Sequence, residues 1–138
     1  MNHALLFWIA TTLFALRVAA QAVVLRWSPR WLPSAEHWMS GWVPYRYLLP
    51  WQLSLLGGMI WTGCSLTTGH GFFAHAGWQG WAQVFHWWAL LYFWSMPCRY
   101  VLTMVQHPER RWFKRTIPIW FHMILACAWY VFADYHGA

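Results

Sequence analysis

Four apolar stretches, residues 4–25, 48–66, 82–104 and 117–133, occupy most of this chain and decide what it can fold into. Each approaches the roughly 20 helical residues that cross a bilayer core of about 30 Å. In lipid only helices and closed barrels satisfy their own backbone, and the two-residue alternation of a barrel strand is absent from all four. The expected fold is therefore all-α: a polytopic membrane protein, a four-transmembrane-helix bundle formed as one domain over residues 1–138.

Composition excludes the competing classes. Of 138 residues, 60% are hydrophobic, 22% aromatic and 9% charged, where a soluble domain spends about a quarter of its residues on charge. The nine Lys and Arg give a pI near 9.7, but nucleic-acid binding needs a solvated basic face that so apolar a chain cannot offer. No glycine-rich phosphate loop, paired carboxylates, H-E-x-x-H or CxxC is present, and three acids are few for acid–base catalysis.

Positive charge sets the expected orientation. Arg26, Arg30 and Arg46 lie between the first two stretches, and Arg110, Arg111, Lys114 and Arg115 between the last two. The positive-inside rule makes both loops cytoplasmic and places both termini on the outer side of a bacterial-type inner (plasma) membrane. Ala20-Gln21-Ala22 resembles a signal-cleavage site, yet no basic segment precedes it, and cleavage would leave Arg26 and Arg30 outside. The first stretch is read as a retained helix.

Fifteen tryptophans accompany these spans. In the 26–47 loop Trp27, Trp31, Trp38 and Trp42 alternate with Pro29, Pro33 and Pro44. Ser34 is placed to cap a short helix and Gly41 to end it, with Trp38 and Trp42 on one face. This segment is expected to lie along the inner leaflet with its indoles at headgroup level. Trp78 and Trp81 mirror it on the outer side, after Gly69, Gly71 and Gly77.

Polar residues inside apolar spans carry the functional information. Arg17 and Gln21 share a face of the first span. Ser54, Gly58 and Thr62 form a small-residue stripe on the second that would admit a neighbouring helix, with Gln52 about 200° round from Ser54. Tyr92, Ser95, Arg99 and Thr103 follow helical spacing on the third, around Pro97. His122, Ala126, Tyr130 and Asp134 do so on the fourth. These stripes are expected to converge. Helical rise places Arg17 about 12 Å, Arg99 and His122 about 8 Å and Gln52 about 6 Å from the cytoplasmic ends.

That gathers two guanidinium charges in the inner half with no carboxylate beside them. A mid-membrane Arg costs from about 2.5 to more than 10 kcal/mol depending on how it relaxes. Snorkelling towards the headgroups, pairing with Glu36 or Glu109, or an anion from outside would each lower the cost. Arg17, Gln21, Gln52, Arg99, His122, Tyr92 and Tyr130 are accordingly the expected anion- or ligand-binding residues. The corresponding function is a non-catalytic accessory or scaffolding subunit that binds anionic lipid or other membrane subunits. Alternatively the cluster holds a quinone, haem propionate or other small molecule in a redox or ligand-binding module.

Histidines suggest a third reading. His86 and His122 lie some 10–15 Å apart along the membrane axis, too far to share a haem iron. On the outer side His3, His70, His75, Asp134 and His136 supply donors suited to Cu or Zn. Cys64, Cys98 and Cys127 fall at different depths and are not expected to pair.

Overall fold

The computed structural model describes residues 2–39, 43–110 and 116–138. All regular structure among them is helical: α1 (His3–Trp27), α2 (Ala35–Trp38), α3 (Tyr45–Thr68), α4 (Ala82–Gln106) and α5 (Ile117–Tyr135), with short 3₁₀ turns at Phe72–Ala74, Ala76–Trp81 and Pro108–Arg110. The long helices overrun the expected apolar stretches because residues of interfacial character, such as Tyr45 and Arg46, continue the helical hydrogen-bonding. Pro50 and Pro97 lie inside α3 and α4 without ending them.

Side-chain pairs fix the register. His3 Nε2 meets Asp134 Oδ2 at 2.9 Å, joining the start of α1 to the end of α5. Trp8 donates to Thr67 Oγ1 at 2.9 Å and Gln52 donates to Gln21 at 3.0 Å, which runs α3 antiparallel to α1. Phe85 stacks on Trp129 while Tyr92 meets His122, so α4 is antiparallel to α5. The main packing is α3 on α1, α1 on α5 and α5 on α4. In space the order is therefore α3, α1, α5, α4, with α3 and α4 at the two edges.

The seams follow from residue size. On α1 the buried positions Phe7, Ala10, Phe14, Arg17, Gln21 and Val24 recur at three- and four-residue steps. On α4 they are Ala82, Ala89 and Met96, one per seven residues, against Ala126 and Ala133 of α5. Close approach on α3 occurs at Gly63, where a Cβ would lie 3.0 Å from the Trp8 ring. The Ser54/Gly58/Thr62 stripe does not make the helix contact expected of it: Ser54 is exposed, and a Cβ on Gly58 would meet nothing within 4 Å.

The loops correct two further expectations. Trp38 is buried, and α2 packs against α1 and α5 instead of lying outward. Its indole donates to the Pro33 carbonyl at 3.0 Å, a bond that an apolar burial site rewards more than a wet one. Ser34 stands at the N-cap, yet its hydroxyl bonds His37 Nδ1 and not the helix backbone. At the opposite end, Trp78 turns inward, donates to Phe72 O at 2.8 Å and packs on Phe73, Phe85 and Phe132. His136 Nε2 bonds the Phe73 carbonyl at 2.9 Å and fastens this aromatic cover to α5. Trp27, Trp31 and Trp81 are exposed. Gly41, Trp42, Arg111, Lys114 and Arg115 lie outside the described residues.

Candidate functional site: a polar cluster without a carboxylate

Most of the expected site residues come together, as two adjoining groups. The first is a chain of amides. Gln21, 0% exposed, donates to the Trp38 carbonyl at 3.4 Å and accepts from Gln52, itself 3% exposed. The second centres on His122. Its Nδ1 shares a hydrogen bond with the Tyr92 hydroxyl. The charges of both Arg17 and Arg99 act on it, and Arg99 also acts on Tyr92. One helical turn separates Arg17 from Gln21, so α1 joins the two groups.

Arg17 is the decisive member. It is 7% exposed, in the middle of the packed seam of α1, with its guanidinium 5.4 Å from the Phe121 ring centre. A cation over an aromatic face recovers part of its lost hydration, about 0.5–2 kcal/mol. Snorkelling does not describe this position, since the side chain is enclosed by neighbouring helices. Nor does either loop carboxylate reach it among the described residues: Glu109 pairs with His107 at 3.2 Å, and no ion pair involves Glu36. Arg17 Nε is buried without a hydrogen-bond partner.

Two more orphaned polar atoms occur at the same end of the molecule, Gln52 Oε1 and Thr116 Oγ1. Thr116 is 0% exposed and stands at the N-cap of α5, six residues before His122. Its position just outside an apolar stretch gave no sign of this burial. The cluster thus presents unused donors and acceptors beside uncompensated positive charge. Buried polar groups in folded proteins are ordinarily paired, and an unpaired one costs about 1–3 kcal/mol.

The remaining expected residues fall elsewhere. Tyr130 lies two turns from His122 and packs on His86, ring centres 5.0 Å apart. His86 Nδ1 is buried and unpartnered there. Ser95 and Thr103 bond carbonyls of their own helix. On the opposite end His3 pairs with Asp134, His136 with Phe73 O, His70 Nδ1 with Thr68 O at 2.7 Å, and His75 Nδ1 accepts from Gly77 N. No three of these donors form a group able to hold a metal ion among the described residues.

A cavity of about 340 Å³ lies between α3 and α5, and none of the cluster residues lines it. The spatial order of helices produces it: α3 and α4 flank the α1–α5 pair without closing over it. Its walls are α3 from Trp51 to Thr62 and the Leu125, Ala128, Trp129 face of α5, and the inward-turned Phe73 and Trp78 cover one end. At the other end Trp51 neighbours Gln52 in sequence and Leu125 lies one turn from His122.

Comparison of the chain with protein-family models, with curated proteins and with solved structures gives no match.

Proposed function

We propose that this protein is a non-catalytic accessory subunit of a bacterial-type inner membrane, held there by four spanning helices, which uses the Arg17/Arg99/His122 cluster to bind an anionic group from outside the chain. Two helices, α1 and α5, are long and apolar enough to cross a membrane by hydropathy. The assignment of α3 and α4 to the membrane rests on what they expose. Trp51, Leu53, Ile60 and Trp61 on α3, and Trp87, Trp88, Leu91, Trp94, Val101 and Leu102 on α4, face outward. Apolar area on that scale is too large for a soluble monomer's surface. Tryptophan scores poorly in hydropathy sums yet favours membrane surroundings, which accounts for these two helices falling short. The basic loops would then face the cytoplasm.

A single observation carries the binding role: Arg17 is buried, cationic and without a carboxylate among the described residues. A phosphate of an anionic lipid or an acidic side chain of a partner subunit supplies what the site lacks, and arginine's planar fork suits either oxyanion. The Tyr92–His122 bond favours a second reading, a small-molecule module in which this donor–acceptor pair holds a quinone carbonyl.

Purification from native membranes, with identification of everything that accompanies the wild type and Arg17→Leu, tests the first reading. The variant should insert normally and lose an anionic lipid or a partner subunit that the wild type keeps. Identical companions for both proteins would remove the basis for the proposal.

A further inference from the structure

We propose that Trp38 is a plug at the end of the α1–α5 groove, and that a phosphate oxyanion arriving from the proposed cytoplasmic side displaces it and takes over the Gln21 amide. The proposal rests on the anion-binding reading above and names what regulates access to that site.

Arg17 is 7% exposed and Gln21 0%, so an outside anion meets neither until something moves. The pairs His3–Asp134 and Arg17–Phe121 set α1 antiparallel to α5, which brings Gln21 level with Ile117, the first residue of α5. Beyond that level α5 has not begun, and α2 packs against both helices. Trp38 is 7% exposed there and is the one buried residue between Ser28 and Met39. It stands on Gln21, one turn of α1 from Arg17.

Displacing this plug breaks little. Residues 33–38 hold themselves together: the Trp38 indole donates to Pro33 O at 3.0 Å, Ser34 Oγ meets His37 Nδ1 at 2.8 Å, and His37 N donates to Ser34 O at 2.9 Å. Among the described residues a single hydrogen bond ties them to a long helix, the 3.4 Å contact from Gln21 to the Trp38 carbonyl. A four-residue helix without a side-chain cap adds little rigidity of its own. The segment can withdraw as a unit.

Gln21 decides what replaces Trp38. Its Oε1 is committed to Gln52, and its amide nitrogen has one acceptor, the Trp38 carbonyl. A phosphate oxygen is the better acceptor, since charge-assisted hydrogen bonds are roughly twice as strong as neutral ones. The same anion would answer the Arg17 charge one turn further in. Arg26, Arg30 and Arg46, exposed at this end, draw anions towards the plug. Trp38 and the anion therefore compete for one donor.

The full-length protein, labelled with fluorotryptophan, is placed in phosphatidylcholine nanodiscs, and the Trp38 fluorine signal is assigned by its loss in Trp38→Phe. Phosphatidylglycerol is added to the discs in one arm and inorganic phosphate to the buffer in the other. The signal should leave its buried position: with lipid alone if the anion is a headgroup, with inorganic phosphate if it is a free ion. Radiolabelled forms of both are then titrated against bead-captured protein in detergent. With the open form a minor state of about 10% or less, Trp38→Ala of unchanged helical circular dichroism should bind at least about tenfold more tightly than wild type. Trp31→Ala, which removes an exposed indole from the same loop, should match wild type. A Trp38 signal unmoved in both arms overturns the proposal, and so does Trp38→Ala binding no more tightly than wild type. Binding that Arg17→Leu abolishes while Trp38 stays buried removes the plug and leaves the anion-binding reading standing. Binding unaltered by Arg17→Leu, or none at all, removes both.

Discussion

Gln21 and Gln52 illustrate how a polar side chain survives burial in an apolar protein. Each amide uses its neighbour: Gln52 donates to Gln21, and Gln21 donates to the Trp38 carbonyl. Gln21→Leu would strand both the Gln52 amide and that carbonyl, whereas Gln21→Leu with Gln52→Leu strands only the carbonyl. We expect the single substitution to cost about 1–2 kcal/mol in reversible unfolding from mixed micelles, and the double to recover much of it. Equal losses would show that the amide pair is not coupled. The pairing was partly legible in sequence, since Gln21 follows Arg17 by one turn. Gln52 could be seen to face away from Ser54, but not to face Gln21, because that depends on which helix α3 packs against. Tyr130 shows the opposite failure. Its i+4 spacing from His122 is real, but α4 offers Tyr92 at the level of His122 and His86 at the level of Tyr130, so one stripe serves two separate contacts.

The all-helical character was legible, because periodicity and length are local properties, and of the four expected spans α1 and α5 are long and apolar enough to cross a membrane by length and composition. The spatial order of the helices was not readable. It depends on where small residues allow close approach, and the alanines of α4 and α5, together with Gly63, achieve this where Ser54, Gly58 and Thr62 do not. The turns between Gly71 and Trp81 were equally opaque, since an indole that belongs at a headgroup surface can also close a cavity. Gly71, at φ 100° with Ser65 Oγ 3.2 Å from a would-be Cβ, lets the chain fold back over α3. The His136–Phe73 bond then holds the turns down. Burial, the larger influence, holds the His136 imidazole below its ordinary pKa, against the opposing pull of the Phe73 carbonyl. The undocked state therefore binds a proton more readily. Docking is at full strength above the usual histidine range, near pH 6.5, and weakens as pH falls from there through the lowered value. The thermal midpoint in detergent should drop between pH 7.5 and pH 5, and His136→Asn should flatten that dependence. A midpoint that is unchanged or higher at pH 5 would contradict this assignment.

Viewed as a whole, the molecule sorts its ends. Both described termini and the Phe72–Trp81 turns meet at one end through His3–Asp134 and His136–Phe73. Arg26 and Arg46 flank aromatic rings at the other. A reporter active only in the cytoplasm, fused after Ala138, should give no signal, while one placed in the 107–116 segment should be active. The reverse pattern would invert the proposed orientation and the depth ascribed to Arg17. The distribution of loop charge is the sequence feature behind the proposed orientation, but it gave no sign of the burial of the arginine itself. Snorkelling and enclosure predict the same sequence and differ only in whether neighbouring helices close around the side chain. The enclosure of Arg17 is the observation on which the proposed binding role rests.

The most direct measurement is a carbon–phosphorus dipolar experiment on arginine-labelled protein in phosphatidylglycerol bilayers, with the Arg17→Leu spectrum subtracted to isolate Arg17. The guanidinium carbon of Arg17 should be dephased by lipid phosphorus in direct contact. An Arg17 signal untouched by phosphorus, or one coupled instead to the carboxylate of Glu36 or Glu109, would show that the chain neutralises its own buried charge and needs no outside anion.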